Sequence, residues 1–360
     1  MIIGIDGIEA NVEEKVGVSV YTAQLLSYFQ SIANVDTQFI VYLRSAPLEN
    51  LPKETDYFRY EIVRQKGLWR DVFFPIHLHT HKKIDVLFCP AHYIPRFCPV
   101  PTIVTIHDLA YEFFPHEFKK EDLFKLKNWT RHAVRKSKGV IAVSKTTALD
   151  LQKLYDVPSQ KITTIYNGYA SVGRPSDETI KSFGLKSYKY FLYIGTLQPR
   201  KNIPTLIQAF ALYHKTHPDI KLVIVGRKGW MYDSIFEEVK RLNIEDSVVF
   251  TGYVKSLKMF YTNAIAYILP SLYEGFGLPV IEAMHYECPV IVSDTPALME
   301  VSDGACLSFP AHDTIALAQA LEKISQLSVR KALIAKGTKR AKHFSWDKTA
   351  KQTLDIIKQI

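Results

Sequence analysis

Apolar positions along this chain fall into two alternating kinds of stretch. Short apolar runs recur at 2–6, 39–43, 60–63, 84–88, 102–106, 140–143 and 162–166, with the length and composition of strands buried on both faces of a sheet. Between them lie helical or irregular segments. The clearest is 18–30, where Val20, Leu25, Leu26 and Phe29 are the apolar positions. A second series starts with runs at 190–194, 222–225, 248–250, 264–269 and 290–293, with helices at 204–214 and 234–242 among them. The stretch 170–186 separates the two series; it is polar and broken by Gly173, Pro175 and Gly184, as an interdomain linker would be. Strands alternating with helices predict a parallel, doubly wound sheet. The whole is therefore expected to be α/β: two Rossmann-like domains facing a cleft, at 1–170 and 187–343, joined by a linker at 171–186. The last segment, 344–360, is amphipathic and predicts a terminal helix.

Composition narrows the class. A chain of 360 residues is too long for one ordinary core. Its 47% hydrophobic and 22% charged content describes a folded globular protein. No apolar stretch reaches the roughly eighteen residues of a membrane span. The N-terminus lacks a basic segment and meets Asp6 too early for a signal peptide, so a cytoplasmic location is the expectation. Cys89, Cys98, Cys288 and Cys306 lack metal-ligand spacing and read as reduced, mostly buried small hydrophobes. A net charge of +9 points to anionic partners: nucleotide phosphates or acidic lipid headgroups. Nucleic acid is disfavoured, because no zinc finger, RNP motif or long basic tail is present. His77, His79 and His81 read as a polar loop rather than a metal site. The segment 118–138 interleaves eight Lys and Arg residues with Phe124, Leu126, Trp129 and Val134. It is either a solvated helix face or a surface for peripheral contact with an anionic membrane.

The candidate chemistry concentrates in the second half. The run 264–269 leads through Pro270 and Ser271 into a loop with Glu274, Gly275 and Gly277. Pro279 then marks an expected first helical position, with Glu282 about one turn further on. A helix N-terminus delivered to the carboxyl end of a strand suits a phosphate. Glu282 could equally do no more than complement the helix dipole, and the glycines serve a tight turn. The strand at 190–194 ends at Gly195 and runs through Thr-Leu-Gln-Pro to Arg200 and Lys201, just before the helix expected from Pro204. Two fixed charges there can neutralise a departing diphosphate, or can be an exposed basic pair at a turn. In the first half, the IVTIHD run places His107 at the carboxyl edge of a strand, where open α/β sheets hold their ligands. Ser144 is an expected helix N-cap.

Residues 274–283, Glu-Gly-Phe-Gly-Leu-Pro-Val-Ile-Glu-Ala, resemble the signature of glycosyltransferase family 4, retaining enzymes of GT-B fold that use sugar nucleotides. The likeness runs from the Gly17 loop to the terminal helix, which in that fold crosses back to the N-terminal domain. It implies that Glu274 holds sugar hydroxyls and Glu282 the ribose, with Gly275, Phe276, Gly277 and Leu278 lining the donor. It implies that Lys201, with Gly195 before it, contacts the diphosphate; Thr196 stands where many members carry arginine, so Arg200 is the expected substitute. It further implies that His107 meets the donor sugar and that the Gly17 loop faces the diphosphate and acceptor. Gly226 and Tyr253, at strand ends, would lie near the nucleotide, whose base meets main-chain groups. Val16, Ser19 and Val20 depart from the family's loop. The Gly-Thr-Leu-Gln-Pro-Arg-Lys-Asn form resembles bacterial mannosyltransferases of polysaccharide synthesis. The implied reaction moves mannose from GDP-mannose to a glycan or lipid-linked acceptor, with no metal and no cofactor beyond the donor. UDP-hexoses and dTDP-rhamnose remain open as donors, and a non-catalytic nucleotide- or glycan-binding protein remains a different-class alternative. A dehydrogenase is disfavoured, since no strand is followed by a G-x-G-x-x-G turn. A hydrolase would need two carboxylates flanking one bond at ~5–9 Å, which a loop-plus-helix pair does not ensure.

Overall fold

The computed structural model describes residues 1–64, 67–81, 83–169 and 178–360. The chain divides into two compact units, Met1–Gly168 with Ser345–Ile360, and Tyr169–Phe344. Most of the expected linker, including Gly173 and Pro175, lies outside the described residues, and Glu178–Lys181 just after it is a short helix.

The first unit is a seven-stranded parallel sheet. Its strands are β1 (Ile2–Asp6), β2 (Gln38–Leu43), β3 (Phe58–Ile62), β4 (Val86–Cys89), β5 (Thr102–Ile106), β6 (Gly139–Ala142) and β7 (Ile162–Thr164), in the order β3-β2-β1-β4-β5-β6-β7. Central strands β4 and β5 are buried at every position, which is why they read as unbroken apolar runs rather than alternations. The Val18–Ile32 helix follows Gly17, whose φ of +52° a residue with a Cβ seldom adopts. It buries Tyr21, Leu25, Leu26 and Phe29, and Phe29 stacks on Phe39 of β2 with ring centroids 5.0 Å apart. The terminal helix, Trp346–Lys358, belongs to this unit and packs on Val18–Ile32. Ser345 caps it by accepting from Lys348 N, Thr349 Oγ1 donates to Tyr166 O at 2.7 Å, and Trp346 meets Tyr21 edge-on at 5.9 Å. A Cβ on Gly168 would sit 2.2 Å from Trp346 N, so this approach requires glycine.

The His77–His81 segment corrects an expectation: it is the end of a helix, Phe74–His81, not a loop. Phe74, Pro75 and Leu78 are buried on one side of it, and that spacing carries the helix. The alternating histidines hide the spacing in the sequence. His77 pairs with Glu61 Oε1 at 2.5 Å and stacks on His81 at 4.1 Å. Ser144 does cap a helix, Lys145–Tyr155, accepting from Thr147 N at 2.9 Å.

The second unit is a six-stranded parallel sheet of β8 (Tyr190–Ile194), β9 (Lys221–Val225), β10 (Val248–Gly252), β11 (Tyr267–Leu269), β12 (Val290–Ser293) and β13 (Leu307–Phe309). Their order is β10-β9-β8-β11-β12-β13. β13 falls on none of the predicted runs; its three residues are too few, and one too exposed, to make an apolar stretch. β11 is shorter than the apolar run at 264–269, although Ile265 N already donates to Tyr190 O at 2.8 Å. The Ile203–His214 helix packs on Thr314–Ser325, and Leu278–His285 on Leu327–Ala341. In both sheets the chain starts in the middle and winds outward in each direction. The strand order therefore reverses between β1 and β4 and between β8 and β11. Crevices at such switch points, beyond the carboxyl ends of the strands, are where open α/β sheets take ligands.

Candidate functional site

In the second unit the two loops beside the switch point meet. The loop after β8 ends in a 3₁₀ turn, Pro199–Lys201, and the loop after β11 carries Ser271 to Gly277. Lys201 Nζ donates to Glu274 Oε1 at 2.5 Å, and Arg200 Nη1 lies 3.8 Å from Glu274 Oε2. Ser271 Oγ donates to the same Oε1 at 2.7 Å, and Arg200 Nη1 donates to Tyr273 O at 3.1 Å. Leu272 N donates to Arg200 O at 2.8 Å, so the loops are bonded through backbone as well. Glu274 is only 8% exposed. Burial by itself would raise its pKa, but the charges of Lys201 and Arg200, with hydrogen bonds from Lys201 and Ser271, hold it below the usual carboxylate range. The site thus stores two cations around one anion.

Two residues outside the sequence reading hold this arrangement. Asn202 takes the left-handed conformation at φ +54° and donates from Nδ2 to Pro270 O at 3.1 Å and to Ala311 O at 2.7 Å. Ser293, at the end of β12, donates to Ser271 O at 2.5 Å. Beyond Glu274, Phe276 is buried edge-on against Phe344 at 5.7 Å. Gly277 caps the Leu278–His285 helix at φ +94°, and a Cβ there would meet Leu298 Cδ2 at 2.6 Å. That helix starts at Leu278, so Pro279 is its second residue and not its first; either place lacks an intrahelical partner for the N–H.

Glu282, on the same helix, does not join the cationic pair; the described bond is from Tyr261 OH to its Oε2 at 3.1 Å. Burial raises its pKa to about 7, partly offset by the Tyr261 bond. The two carboxylates therefore sit in opposite electrostatic settings, one held ionised by cations and one pushed by burial toward its protonated form. Gly195 and Gly226 touch across the ends of β8 and β9: a Cβ on Gly226, at φ +155°, would lie 1.9 Å from Gly195 O. Tyr253, just past β10, keeps 40% of its surface exposed, with the Arg227 guanidinium 4.6 Å from its ring centre.

In the first unit His107 follows β5. Its Nε2 donates to Pro90 O, at the end of β4, at 2.7 Å, which leaves Nδ1 as an acceptor. Burial, and the neighbouring His92, lower its pKa to about 4, so it is neutral at physiological pH. The His107 N–H donates to His92 Nε2 at 3.3 Å, and Tyr21 packs edge-on against the His107 ring at 4.8 Å. Tyr21 belongs to the helix that Gly17 starts. Asp6, at the end of β1 on this unit's own switch point, is paired with Arg70 at 2.8 Å, and Arg70 also reaches Glu9 at 3.1 Å.

Comparison with known proteins gives this geometry its context. Residues 16–170 match the family model described as Glycosyltransferase Family 4, and residues 175–340 the one described as Glycosyl transferases group 1. The O-antigen chain mannosyltransferase B of Escherichia coli is 30% identical over 278 residues, covering 75% of this chain and 73% of that protein. The O-antigen chain mannosyltransferase RfbU of Salmonella typhimurium is 33% identical over 243 residues, covering 67% of this chain and 65% of its own length. Among solved structures, sucrose-phosphate synthase from Thermosynechococcus elongatus superposes with a TM-score of 0.80 at 20% identity, covering 99% of this chain and 98% of that one. At that identity the likeness speaks for the fold, GT-B. With both halves matched and a relative aligned over most of its length, the chain belongs to the family 4 and group 1 glycosyltransferases, and is an enzyme of glycosyl transfer.

Proposed function

We propose that this enzyme moves mannose from GDP-mannose to a hydroxyl of a glycan or lipid-linked acceptor, with retention at the anomeric carbon, in the synthesis of a cell-surface polysaccharide. The observation that carries the reading is the convergence of Arg200 and Lys201 on Glu274 at the β8/β11 switch point. A diphosphate arriving there shares two cations already held in place, so little reorganisation is needed as its charge grows. The C1–O bond of the donor breaks with its electron pair going to the β-phosphate oxygen. The acceptor oxygen bonds to C1 from the same face, and its proton passes to a donor phosphate oxygen. Glu274 orients the cations and accepts from sugar hydroxyls, Glu282 accepts from the ribose, and Nδ1 of neutral His107 accepts from a hydroxyl of the sugar or acceptor. Charge neutralisation by the basic pair makes a metal unnecessary in this scheme.

The choice of mannose rests on the two O-antigen mannosyltransferases among the relatives. The test is a thermal-shift series with GDP, UDP, dTDP and ADP, followed by transfer from labelled GDP-mannose. A ligand that binds the native state raises the melting temperature, and by more the further its concentration exceeds its dissociation constant. GDP is expected to give the largest rise. A larger rise with UDP or dTDP would move the donor to a UDP-hexose or dTDP-rhamnose. No rise with any of the four would overturn the transferase reading of this site.

A further inference from the structure

Where the pairing of β4 with β5 ends, at Cys89 and Val104, side chains take over the joining of the two strand ends. His107 is held there from two directions. Its ring donates from Nε2 to Pro90 O at 2.7 Å, and its backbone N–H donates to His92 Nε2 at 3.3 Å. One bond turns the ring, and the other sets the backbone that carries it. His92 is itself fixed at the centre of a three-residue turn, in which Tyr93 N donates to Ala91 O at 2.7 Å.

The bond from His107 also decides the protonation of His92. A ring nitrogen that accepts from an amide carries no hydrogen, so the His92 proton sits on Nδ1. Burial lowers the His92 pKa against the opposing pull of the Asp108 and Glu9 carboxylates, so this ring too is neutral. Yet Nδ1 of His92 is buried and meets no hydrogen-bond partner among the described residues. A buried donor left unpaired costs stability and calls for a reason. Packing does not supply one. The ring lies nearly parallel to that of His107 at 5.9 Å and edge-on to Tyr111 at 6.5 Å, and a phenylalanine could do the same. What a phenylalanine could not do is accept the His107 N–H.

We propose that His92 is the positioning residue for His107, holding the ring so that its unprotonated Nδ1 faces the hydroxyl it accepts from. This rests on the reading that His107 meets the sugar or the acceptor, and adds what fixes the atom that does so. With Nε2 committed to Pro90 O, only Nδ1 is left to a ligand. Tyr21, edge-on at 4.8 Å, closes one side of the ring. Without His92 the His107 N–H has to find another acceptor, and Nδ1 moves with the backbone. A displacement of about 1 Å in a positioning group costs on the order of a hundredfold in rate.

The test compares His92→Gln with His92→Phe in the full chain. Glutamine carries an amide oxygen at about the reach of Nε2 and can accept the His107 N–H; phenylalanine keeps the shape and cannot. In nitrogen NMR of isotope-labelled histidines, the parent and His92→Gln are expected to show a His107 Nε2–H signal protected by Pro90 O. His92→Phe should lose that signal to exchange with water. Release of GDP from GDP-mannose should follow the same order, with most of the rate kept in His92→Gln and about a tenfold or greater loss in His92→Phe. GDP affinity should be unchanged in both. The thermal midpoint of His92→Phe should stay near that of the parent, since one unpaired donor is exchanged for another. A ring that only fills space gives the reverse order, and that order would overturn the proposal. So would equal losses in the two variants, or a full rate and an intact signal in both. His107→Ala separates this from the function proposed above. Parental turnover of GDP-mannose by that variant would remove His107 from the sugar, whereas its loss beside a full rate in His92→Phe would exclude His92 alone. The N–H signal is read without a donor, so it serves whichever sugar nucleotide the enzyme uses.

Discussion

Lys201 and Glu274 are 73 positions apart in the chain and meet at 2.5 Å. Lys201→Ala is expected to lower kcat by roughly a hundredfold or more if its charge stabilises the leaving diphosphate; unchanged kcat would remove it from the mechanism. Glu274→Gln should act twice. It should impair transfer, and it should destabilise the ligand-free enzyme by about 3 kcal/mol, because two partly buried cations lose their anion. A nucleoside diphosphate replaces that anion, so it should raise the melting temperature of the variant more than that of the parent. Equal rises would count against a shared phosphate and carboxylate site. Glu282 supplies the pH dependence. Its folded pKa of about 7 lies above the ordinary 4.5, so its contribution to stability is fully present below about pH 4.5 and is lost as pH rises through about 7. Glu282→Gln should therefore be more stable than the parent at pH 8, by about 3 kcal/mol, and no more stable at pH 4. If the ionised carboxylate accepts the ribose hydroxyls, the parent's affinity for the nucleotide should also rise between pH 6 and 8 relative to the variant's; parallel profiles would exclude that role. The residue types of this site were legible in the sequence. Their partners Ser271 and Tyr261, and Asn202 that ties the loops through Pro270 O and Ala311 O, were not, because a serine, a tyrosine and an asparagine become informative only once the fold shows what they touch.

At the scale of elements, strands were easier to place than their surroundings. β1, β5, β8 and β12 have the bounds that their apolar runs predict, since every residue in β5, β8 and β12, and all but one in β1, is buried. The Phe74–His81 helix and β13 escaped because only part of each touches the core. The loops of the site depend on backbone that only glycine adopts. Gly226→Ala would set a methyl 1.9 Å from Gly195 O at an unfavourable φ, and a loss of roughly 2–4 kcal/mol is expected in chemical denaturation. At Gly17 an added methyl would meet nothing within 4 Å, so Gly17→Ala should cost only the strain of its positive φ, about 1 kcal/mol. Comparable losses at the two positions would contradict this distinction between crowding and strain.

For the whole molecule, the terminal helix joins the first unit although the second unit comes before it in the chain. Trp346, Ala350, Leu354 and Ile357 form its buried face. Ile357→Ala should cost about 2–5 kcal/mol. Hydrogen exchange should then quicken across residues 1–168 and stay unchanged in the second unit's sheet; faster exchange in both would mean that the units unfold together. By itself the sequence determined the βα alternation, the division into two halves, and the chemistry available at the strand ends. These follow from local burial and loop composition, which neighbouring residues record. Tertiary structure alone decided that Lys201 and Arg200 share Glu274, and that Glu282 turns to Tyr261. Each of those facts joins segments distant in the chain, and such proximity is set by how the sheet winds, not by any window of residues.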